Sequence, residues 1–485
     1  MTSAVTDTNA PYAAKAPPPL CVDLDGTLIR TDLLVESALA LLGRSPLMVF
    51  AMLVWLLRGK ACLKREIASR VELNVSTLPY NHDVVAWVLQ QQPLRTTVLC
   101  SAADLALASR VADHIGGFDV VLASDGQRNL SGKNKAAALV DLYGRRGFDY
   151  VGNAAVDLHV WESARAAVVV ESGSSLSAAA ARVTRVERTF SQTRATVRQW
   201  VKALRIHQWI KNVLVFLPLL AAHRVFDLQA VLSSVLAFFC FGLCASSVYV
   251  TNDLLDLGAD RQHRRKKYRP FAAGAIPLYQ GPLAAFVLLI GGFSLAWLLT
   301  PMFALVLLGY YVLTTGYSFK FKRMVMLDVV VLALLYTTRI VAGGAAIQSK
   351  SSFWLLAFSM FIFLSLAMIK RYTELLAAQK SGNLKAAGRG YDVLDLPLIQ
   401  SLGGASGYLS VLVLALYVDS TASQSLYRHP HYLWLLCPLL LYWISRTWVI
   451  AHRGIMHDDP VVFAVMDNVS RVLLLIAAAI VIVSI

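Results

Sequence analysis

The sequence predicts a chain in two parts: an N-terminal α/β domain, then an all-α bundle of nine transmembrane helices. Three observations predict this division. The 485 residues are 57% hydrophobic and 15% charged, with a mean hydropathy of +0.57, whereas a soluble domain carries roughly 45–50% apolar and about 25% charged residues. Between residues 19 and 175, short apolar runs alternate with mixed helical stretches. Beyond residue 206 the chain consists largely of uncharged stretches of membrane length. Disorder over the whole chain, collagen-like repetition and a disulfide scaffold are excluded by the same composition.

In the N-terminal part, segments 20–24, 97–101, 120–124, 150–153 and 166–171 are short and end in small or polar residues. That rhythm predicts a sheet with helical crossovers. Residues 46–57 (PLMVFAMLVWLL) are apolar but too short for a span, so a packed or surface-lying helix is expected. Residues 1–18 are polar, then Ala/Pro-rich, and are expected to be disordered; they contain no apolar core of a secretory signal. Segment 176–205 carries Arg182, Arg185, Arg188, Arg194, Arg198, Lys202 and Arg205. It reads as a basic linker or as an interfacial helix drawn to anionic lipid. None of the six cysteines forms a CxxC pair, so neither a zinc nor a redox motif is expected.

The membrane part, 206–485, is expected to hold helices over 210–222, 228–252, 329–348, 351–369, 396–418, 431–445 and 470–485. Two more fall within 270–319, broken near Thr300-Pro301. Alternating sides places loops 251–278, 318–327, 370–395 and 446–469 together, with 16 Lys and Arg; the opposite loops carry 3. The positive-inside rule makes the first set cytoplasmic, in a multi-pass cell (inner) membrane protein with its N-terminal domain in the cytoplasm. The net charge of +15 therefore reads as basic cytoplasmic loops, and no nucleic-acid partner is expected.

The most informative segment is 252–274, NDLLDLGADRQHRRKKYRPFAAG. Continued as a helix at about 100° per residue, Asn252, Asp253, Asp256 and Asp260 fall within an arc of roughly 100°. Carboxylates gathered at a membrane boundary repel one another unless a cation neutralises them. Hard oxygen ligands suit Mg²⁺, which binds a few carboxylates together with substrate phosphates. Arg261, His263, Lys266 and Arg269 follow, a basic run suited to the rest of a diphosphate.

This NDxxDxxxD pattern at the end of the second of nine helices resembles the UbiA superfamily of intramembrane prenyltransferases, over about residues 195–485. The extension DRxHxxKxxRPxAxG resembles one branch, the phosphoribosyltransferases that act on polyprenyl phosphate. Segments 204–212 (LRIHQWIKN, with Lys211), 370–375 (KRYTEL) and 456–460 (MHDDP) are similar to the same branch. The resemblance implies Mg²⁺–diphosphate binding by Asp253, Asp256 and Asp260, with Asn252 in support. It also implies a second polar element after helix four, here Tyr317, Lys320, Lys322 and Arg323, then Asp328. Many aromatic-acceptor members carry paired aspartates there, whereas this chain has Asp328 followed four residues on by Leu332. A single Asp at that place can also simply cap a helix. Arg339 falls near the middle of helix five, where a charge is expensive and marks a candidate site. Lys320, Lys322, Arg339, Lys370 and Arg371 are candidates to hold two phosphate groups, although the positive-inside rule alone accounts for Lys322 and Arg323.

The N-terminal segment 22–28, VDLDGTL, follows a short apolar strand and resembles the haloacid dehalogenase-like (HAD-like) phosphatases. The resemblance implies a Rossmann-like α/β domain with a cap at about 31–95. It makes Asp23 the nucleophile that takes up phosphate and Asp25 the acid that protonates the leaving group. Mg²⁺ would let the two anions meet. Ser101 matches the phosphate-binding hydroxyl, Lys135 or Lys133 the lysine, and Asn153 with Asp157 the metal-binding element. One departure is that Asn153 stands where the family has an aspartate, so a domain kept for docking or stability is the alternative to an active phosphatase.

Together these readings predict a fused Mg²⁺-dependent membrane enzyme that transfers 5-phosphoribosyl from phosphoribosyl pyrophosphate to a polyprenyl phosphate. The N-terminal domain would then remove a phosphate from the product. One alternative moves a prenyl chain from its diphosphate to an aromatic or other small acceptor; another is a non-catalytic scaffold or transporter. The expected partners are a polyprenyl lipid and a diphosphate-bearing donor, with a homo-oligomer left open.

Overall fold

The structure is a computed structural model and describes residues 17–171, 173–382, 389–456 and 459–485. Most of the 1–18 segment expected to be disordered lies outside these residues, as do His457 and Asp458 of the 456–460 motif. The chain forms two compact units. One runs through Ala203 and also takes in Val250–Leu283; the other comprises Leu204–Tyr249 and Ala284–Ile485.

The first unit is built on a six-stranded sheet in the order β3-β2-β1-β4-β5-β6, with every neighbouring pair parallel. Its strands are β1 (Leu20–Val22), β2 (Thr97–Asp104), β3 (Val120–Ser124), β4 (Asp149–Gly152), β5 (Ala166–Glu171) and β6 (Arg185–Ser191). Side chains alternate across the pleat. Leu20, Val22, Val168 and Val170 enter one core, while Cys21, Ala167 and Val169 enter the other. Both faces are thus covered, as a parallel sheet requires. Between β1 and β2 lie α1 (Leu33–Arg44), α2 (Met48–Leu57), α3 (Lys60–Ala68) and α4 (His82–Gln91). The first three share a small core of Leu41, Leu63, Ile67 and Val71. By contrast, α4 packs on the sheet through Val84, Trp87 and Val88 and behaves as a crossover helix. The other crossovers are α5 (Leu105–Ile115), α6 (Lys133–Tyr143), α7 (Leu158–Trp161) and α8 (Ser175–Ala181).

The segment expected as a basic linker or interfacial helix is different. Its first half supplies α8 and the edge strand β6, and only α9 (Val197–Ala203), seven residues long, is helical beyond them. Phe190 is buried, while Arg185, Glu187 and Arg188 are exposed on an edge strand, where charged side chains block further pairing. Arg188 lies over the rings of Trp87 and Phe190, at 5.7 and 4.8 Å.

The remaining helices are α10 (Leu217–Ala221), α11 (Leu228–Leu255), α12 (Leu257–Gln262), α13 (Gln280–Ala296), α14 (Pro301–Phe319), α15 (Leu327–Ala346) and α16 (Phe353–Lys380). They are followed by α17 (Leu396–Val418), α18 (Thr421–Leu426), α19 (Leu436–His452), α20 (Pro460–Met466) and α21 (Asn468–Ser484). Among the described residues six helices are long and apolar enough to cross a membrane: Leu228–Leu255, Pro301–Phe319, Leu327–Ala346, Phe353–Lys380, Val393–Val418 and Pro430–His452. A seventh arises if α20 and α21, bent by 76°, are counted as one span. The expected nine therefore reduce to six or seven by length. Helix α13 has 17 residues, about 25 Å at 1.5 Å per residue, against a hydrocarbon core of about 30 Å. The expected first span is a 3₁₀ stretch, Ile206–Phe216, that passes into the short α10 at Pro218. Helix α16 runs eleven residues past its expected end at 369, so Lys370 and Arg371 are helical.

One glycine fixes the geometry of the second unit. A Cβ on Gly343 of α15 would lie 2.0 Å from the carbonyl oxygen of Val215. Only glycine lets the 3₁₀ stretch approach α15 this closely.

Candidate functional sites

The C-terminal ends of β1, β2 and β4 meet at the first candidate site. Register pairs Val22 with both Leu99 and Val151, which brings Asp23, Ser101 and Asn153 to one edge of the sheet. Lys135 Nζ donates to Asp23 Oδ1 at 2.6 Å and to the Tyr150 hydroxyl at 2.9 Å. The Tyr150 hydroxyl in turn donates to Asp157 Oδ1 at 3.0 Å. Of the two candidate lysines, the structure thus brings Lys135 to Asp23, while Lys133 is exposed. The Thr27 hydroxyl lies 3.2 Å from both Asp23 Oδ2 and Asn153 Oδ1. Asp25 Oδ1 accepts the Leu33 amide at the start of α1, at 2.9 Å. Burial, then Asp32 and Asp23, push the Asp25 carboxyl well above its usual range.

Other expected residues of this pocket make bonds within the protein. Ser101 is fully buried and its hydroxyl accepts the Ala103 amide at 3.0 Å. Asp157 Oδ2 accepts the amides of Asn153 and Ala154, each at 3.0 Å, so it shapes the loop that carries Asn153 and is not placed as a ligand. Burial, then the nearby Asp23, raise its pKa. With Asp157 so engaged, Asn153 neutral and Asp23 bound to Lys135, the donor set does not fit a divalent cation. Sequence reasoning missed Lys64 of α3. Its ammonium donates to the Ala102 carbonyl at 2.5 Å and to Asn129 Oδ1 at 2.7 Å, and burial lowers its pKa.

The second candidate site is the acidic loop. The expected continuous helix stops at Leu255; Asp256 is a one-residue break that caps α12. Asp253 Oδ1 and Asp260 Oδ2 both accept from Arg269 Nη1, at 3.0 and 2.6 Å. Two carboxylates that share one guanidinium nitrogen are close enough to share a metal ion, so this donor pair fits a divalent cation. Among the described residues no group of three or more His, Cys, Asp or Glu is poised as a metal site. Of the three expected acids, Arg269 joins Asp253 and Asp260. Arg261 turns to Glu36 of α1. His263 is exposed and its Nδ1 accepts the amides of Arg265 and Lys266, while Lys266 itself is exposed. Neither joins the acids.

The third site lies in the helical bundle. Asp459 Oδ2 accepts from Lys211 Nζ at 2.8 Å and from Lys370 Nζ at 3.0 Å, and the Tyr336 hydroxyl lies 3.3 Å from Asp459 Oδ1. One turn along α15, buried Arg339 bonds only neutral groups: Asn212 Oδ1 and the Tyr310 hydroxyl, each at 3.0 Å, and the Leu335 carbonyl. Its guanidinium also faces the rings of Tyr310 and Tyr336, at 4.9 and 5.7 Å. The Asn212 side-chain nitrogen is buried and has no hydrogen-bond partner among the described residues. Among the described residues, Lys211, Arg339 and the half-buried Lys370 thus gather around one carboxylate, Asp459, with Glu374 also acting on Lys370. Asn212, Tyr310 and Tyr336 were not predicted; the adjacency of Asn212 to Lys211, and the i, i+3 spacing of Tyr336 and Arg339, were the available signals.

Asp328 and Arg371 form a separate network. Asp328 is fully buried and accepts from Arg371 Nε and the Tyr391 hydroxyl, each at 2.5 Å. Arg371 also bonds Glu374, and the Tyr317 hydroxyl at 3.0 Å. These residues hold α15 and α16 together. Lys320 is exposed and Lys322 half-buried.

The UbiA prenyltransferase family model matches residues 213–481, more than half of the chain. The chain belongs to the UbiA prenyltransferase family. An uncharacterized protein of Sinorhizobium fredii is 37% identical over 455 residues, 93% of this chain and 88% of that protein. The nodulation protein NoeC of Azorhizobium caulinodans is 38% identical over 281 residues, 57% of this chain and 90% of that one. Decaprenyl-phosphate phosphoribosyltransferase of Mycobacterium tuberculosis is 40% identical over 186 residues, 38% of this chain and 62% of that enzyme. Among solved structures, a UbiA homolog from Archaeoglobus fulgidus bound to GPP and Mg²⁺ aligns with 58% of this chain and 99% of its own. The identity is 15% and the TM-score 0.46.

Proposed function

We propose that this UbiA-family chain is a membrane transferase that moves a 5-phosphoribosyl group from phosphoribosyl pyrophosphate to a polyprenyl phosphate. The observation that carries this reading is the gathering of Lys211, Lys370 and Arg339 around one described carboxylate, Asp459. A buried cationic site is costly unless an anion neutralises it. The likeness to decaprenyl-phosphate phosphoribosyltransferases supports the same choice of substrates. Asp253 and Asp260 would hold Mg²⁺, which when bound stabilises the departing pyrophosphate. Arg269, released from the two carboxylates, would grip the same leaving group. The lipid phosphate oxygen attacks ribose C1 as the C1–O bond to pyrophosphate breaks; being already anionic, it needs no base. Because Asp328 is held by Arg371 and Tyr391, it is not available for the paired-aspartate site expected of an aromatic-acceptor enzyme.

The soluble unit would act on a phosphate monoester of the lipid product. Asp23 attacks phosphorus, the ester oxygen leaves with a proton from Asp25, and water then releases phosphate from Asp23. Lys135 holds Asp23 in position. The excess of Lys and Arg on one set of loops supports a cytoplasmic position for this unit, at a cell (inner) membrane.

Mass spectrometry of lipids after incubation with Mg²⁺, phosphoribosyl pyrophosphate and a polyprenyl phosphate tests both steps. The wild type should yield the phosphoribosyl lipid and its dephosphorylated form; Asp23→Asn should accumulate only the first. Pyrophosphate released from a prenyl diphosphate, and none from phosphoribosyl pyrophosphate, would overturn the assignment.

A further inference from the structure

Helix α2 is apolar at every position, MVFAMLVWLL, and none of its residues is buried. Its two sides differ in their neighbours. Met48, Met52 and Trp55 pack on the small core of α1 and α3. On the other side Phe50 is 65% exposed, Leu53 55% and Leu57 88%, with Leu47, Val54 and Leu56 also exposed. Phe50, Leu53, Val54 and Leu57 follow the i, i+3, i+4, i+7 spacing of one helical face. An apolar face of this size on a soluble domain marks an interaction surface.

Two observations identify what covers it. Segment 37–65 contains no acidic residue and five basic ones, Arg44, Arg58, Lys60, Lys64 and Arg65. An apolar helix flanked by Arg44 and by Arg58 and Lys60, all exposed, has the charge pattern of an interfacial helix on anionic lipid. The helix also starts beside the end of a membrane span. A Cβ on Gly43 would lie 3.2 Å from the carbonyl oxygen of Leu255, the last residue of α11, and α2 begins five residues after Gly43. At about 15 Å, α2 is half the thickness of the hydrocarbon core, so it can lie in the interface but cannot cross it.

We propose that α2 is a bilayer-inserted helix that docks the cap of the soluble unit on the lipid surface. Its neighbour α3 carries Lys64, which reaches the strand ends around Asp23 and Asp25 through Ala102 and Asn129. The docked cap therefore presents that pocket to phosphate esters borne by membrane lipids, in preference to soluble ones. This second half rests on the phosphatase reading above; the docking does not.

The test uses the full chain in nanodiscs containing anionic lipid. Phe50→Cys and Leu53→Cys are labelled with an environment-sensitive fluorophore, with Asp83→Cys on exposed α4 as the control. Lipids brominated on their acyl chains should quench the first two labels at least three-fold more than the third. Equal quenching at all three sites overturns the docking. So does protection of the first two labels without lipid quenching, which would signify a second copy or another protein surface. A Phe50→Asp/Leu53→Asp variant should hydrolyse the lipid-linked phosphate about ten-fold more slowly, with p-nitrophenyl phosphate hydrolysis unchanged. Equal loss on both substrates overturns the lipid selectivity. If the wild type hydrolyses neither, the phosphatase reading fails and takes the lipid selectivity with it, while the quenching result still decides the docking.

Discussion

Glu36 of α1 and Arg261 of the acidic loop form a two-pronged ion pair, at 2.5 and 3.0 Å, with both side chains more than nine-tenths buried. Arg261 also donates to the Ala272 carbonyl, and Glu36 accepts from the Thr31 hydroxyl at 2.7 Å. The same α1 bonds Asp25 through its Leu33 amide. One helix therefore ties the candidate phosphatase pocket to the loop that carries Asp253 and Asp260. Trp200 stacks edge-on against Phe271 in the same unit. The acidic loop is structurally part of the soluble unit, although in sequence it belongs to the membrane part.

Removing one partner of this pair leaves a buried charge alone. Glu36→Ala should cost about 3–5 kcal/mol of stability, whereas Glu36→Met/Arg261→Met should be close to neutral. Pyrophosphate release should fall in both, because the loop loses its anchor. Thermal unfolding and a pyrophosphate assay on the same preparations check this; a double variant with full transfer activity would show that the pair does not position the loop.

Chelation with EDTA should abolish transfer, and Mg²⁺ should restore it. Asp253→Asn and Asp260→Asn should each lower kcat by about 10²–10³-fold, the scale of losing one main stabiliser of developing charge. Single-turnover kinetics give the number. Activity that survives either the chelator or both substitutions would rule out a metal at this pair.

Arg339→Lys keeps the charge but not the planar fork that joins Asn212, Tyr310 and Leu335. It should raise KM for the polyprenyl phosphate about ten-fold and leave KM for phosphoribosyl pyrophosphate unchanged. Initial rates at varied concentrations of each substrate check this. Equal effects on both constants would mean that Arg339 is structural.

Asp25 and Asp157 hold their protons more tightly when folded than when unfolded, through burial first and neighbouring acids second. The stability they contribute is complete below the unfolded carboxylate range, about pH 3.9. It is lost as pH rises through the folded values. Asp157→Asn should therefore flatten the decline of the unfolding midpoint with rising pH. Parallel profiles for the variant and the wild type would contradict this.

Much of the fold was legible because its signals are local. Short apolar runs marked the first five strands, and uncharged runs marked the long helices. The edge strand β6 was not legible, because Arg185, Glu187 and Arg188 interrupt it and Phe190 is its one buried residue. The lengths of the shorter apolar helices were not legible, because apolarity does not reveal where Pro218 and the 3₁₀ stretch interrupt a helix.

The same boundary runs through the sites. The sequence by itself determined the chemistry: acids and then bases after α11, DLDGT after β1, and a lone arginine inside α15. Which of these groups meet was decided by tertiary structure alone. Asp253 and Asp260 share Arg269, Asp328 is consumed by Arg371, Lys135 rather than Lys133 reaches Asp23, and Glu36 finds Arg261 across 225 positions of chain. The physical reason is that a buried charge must be neutralised, and the partner that does so is set by packing, which a single sequence does not record.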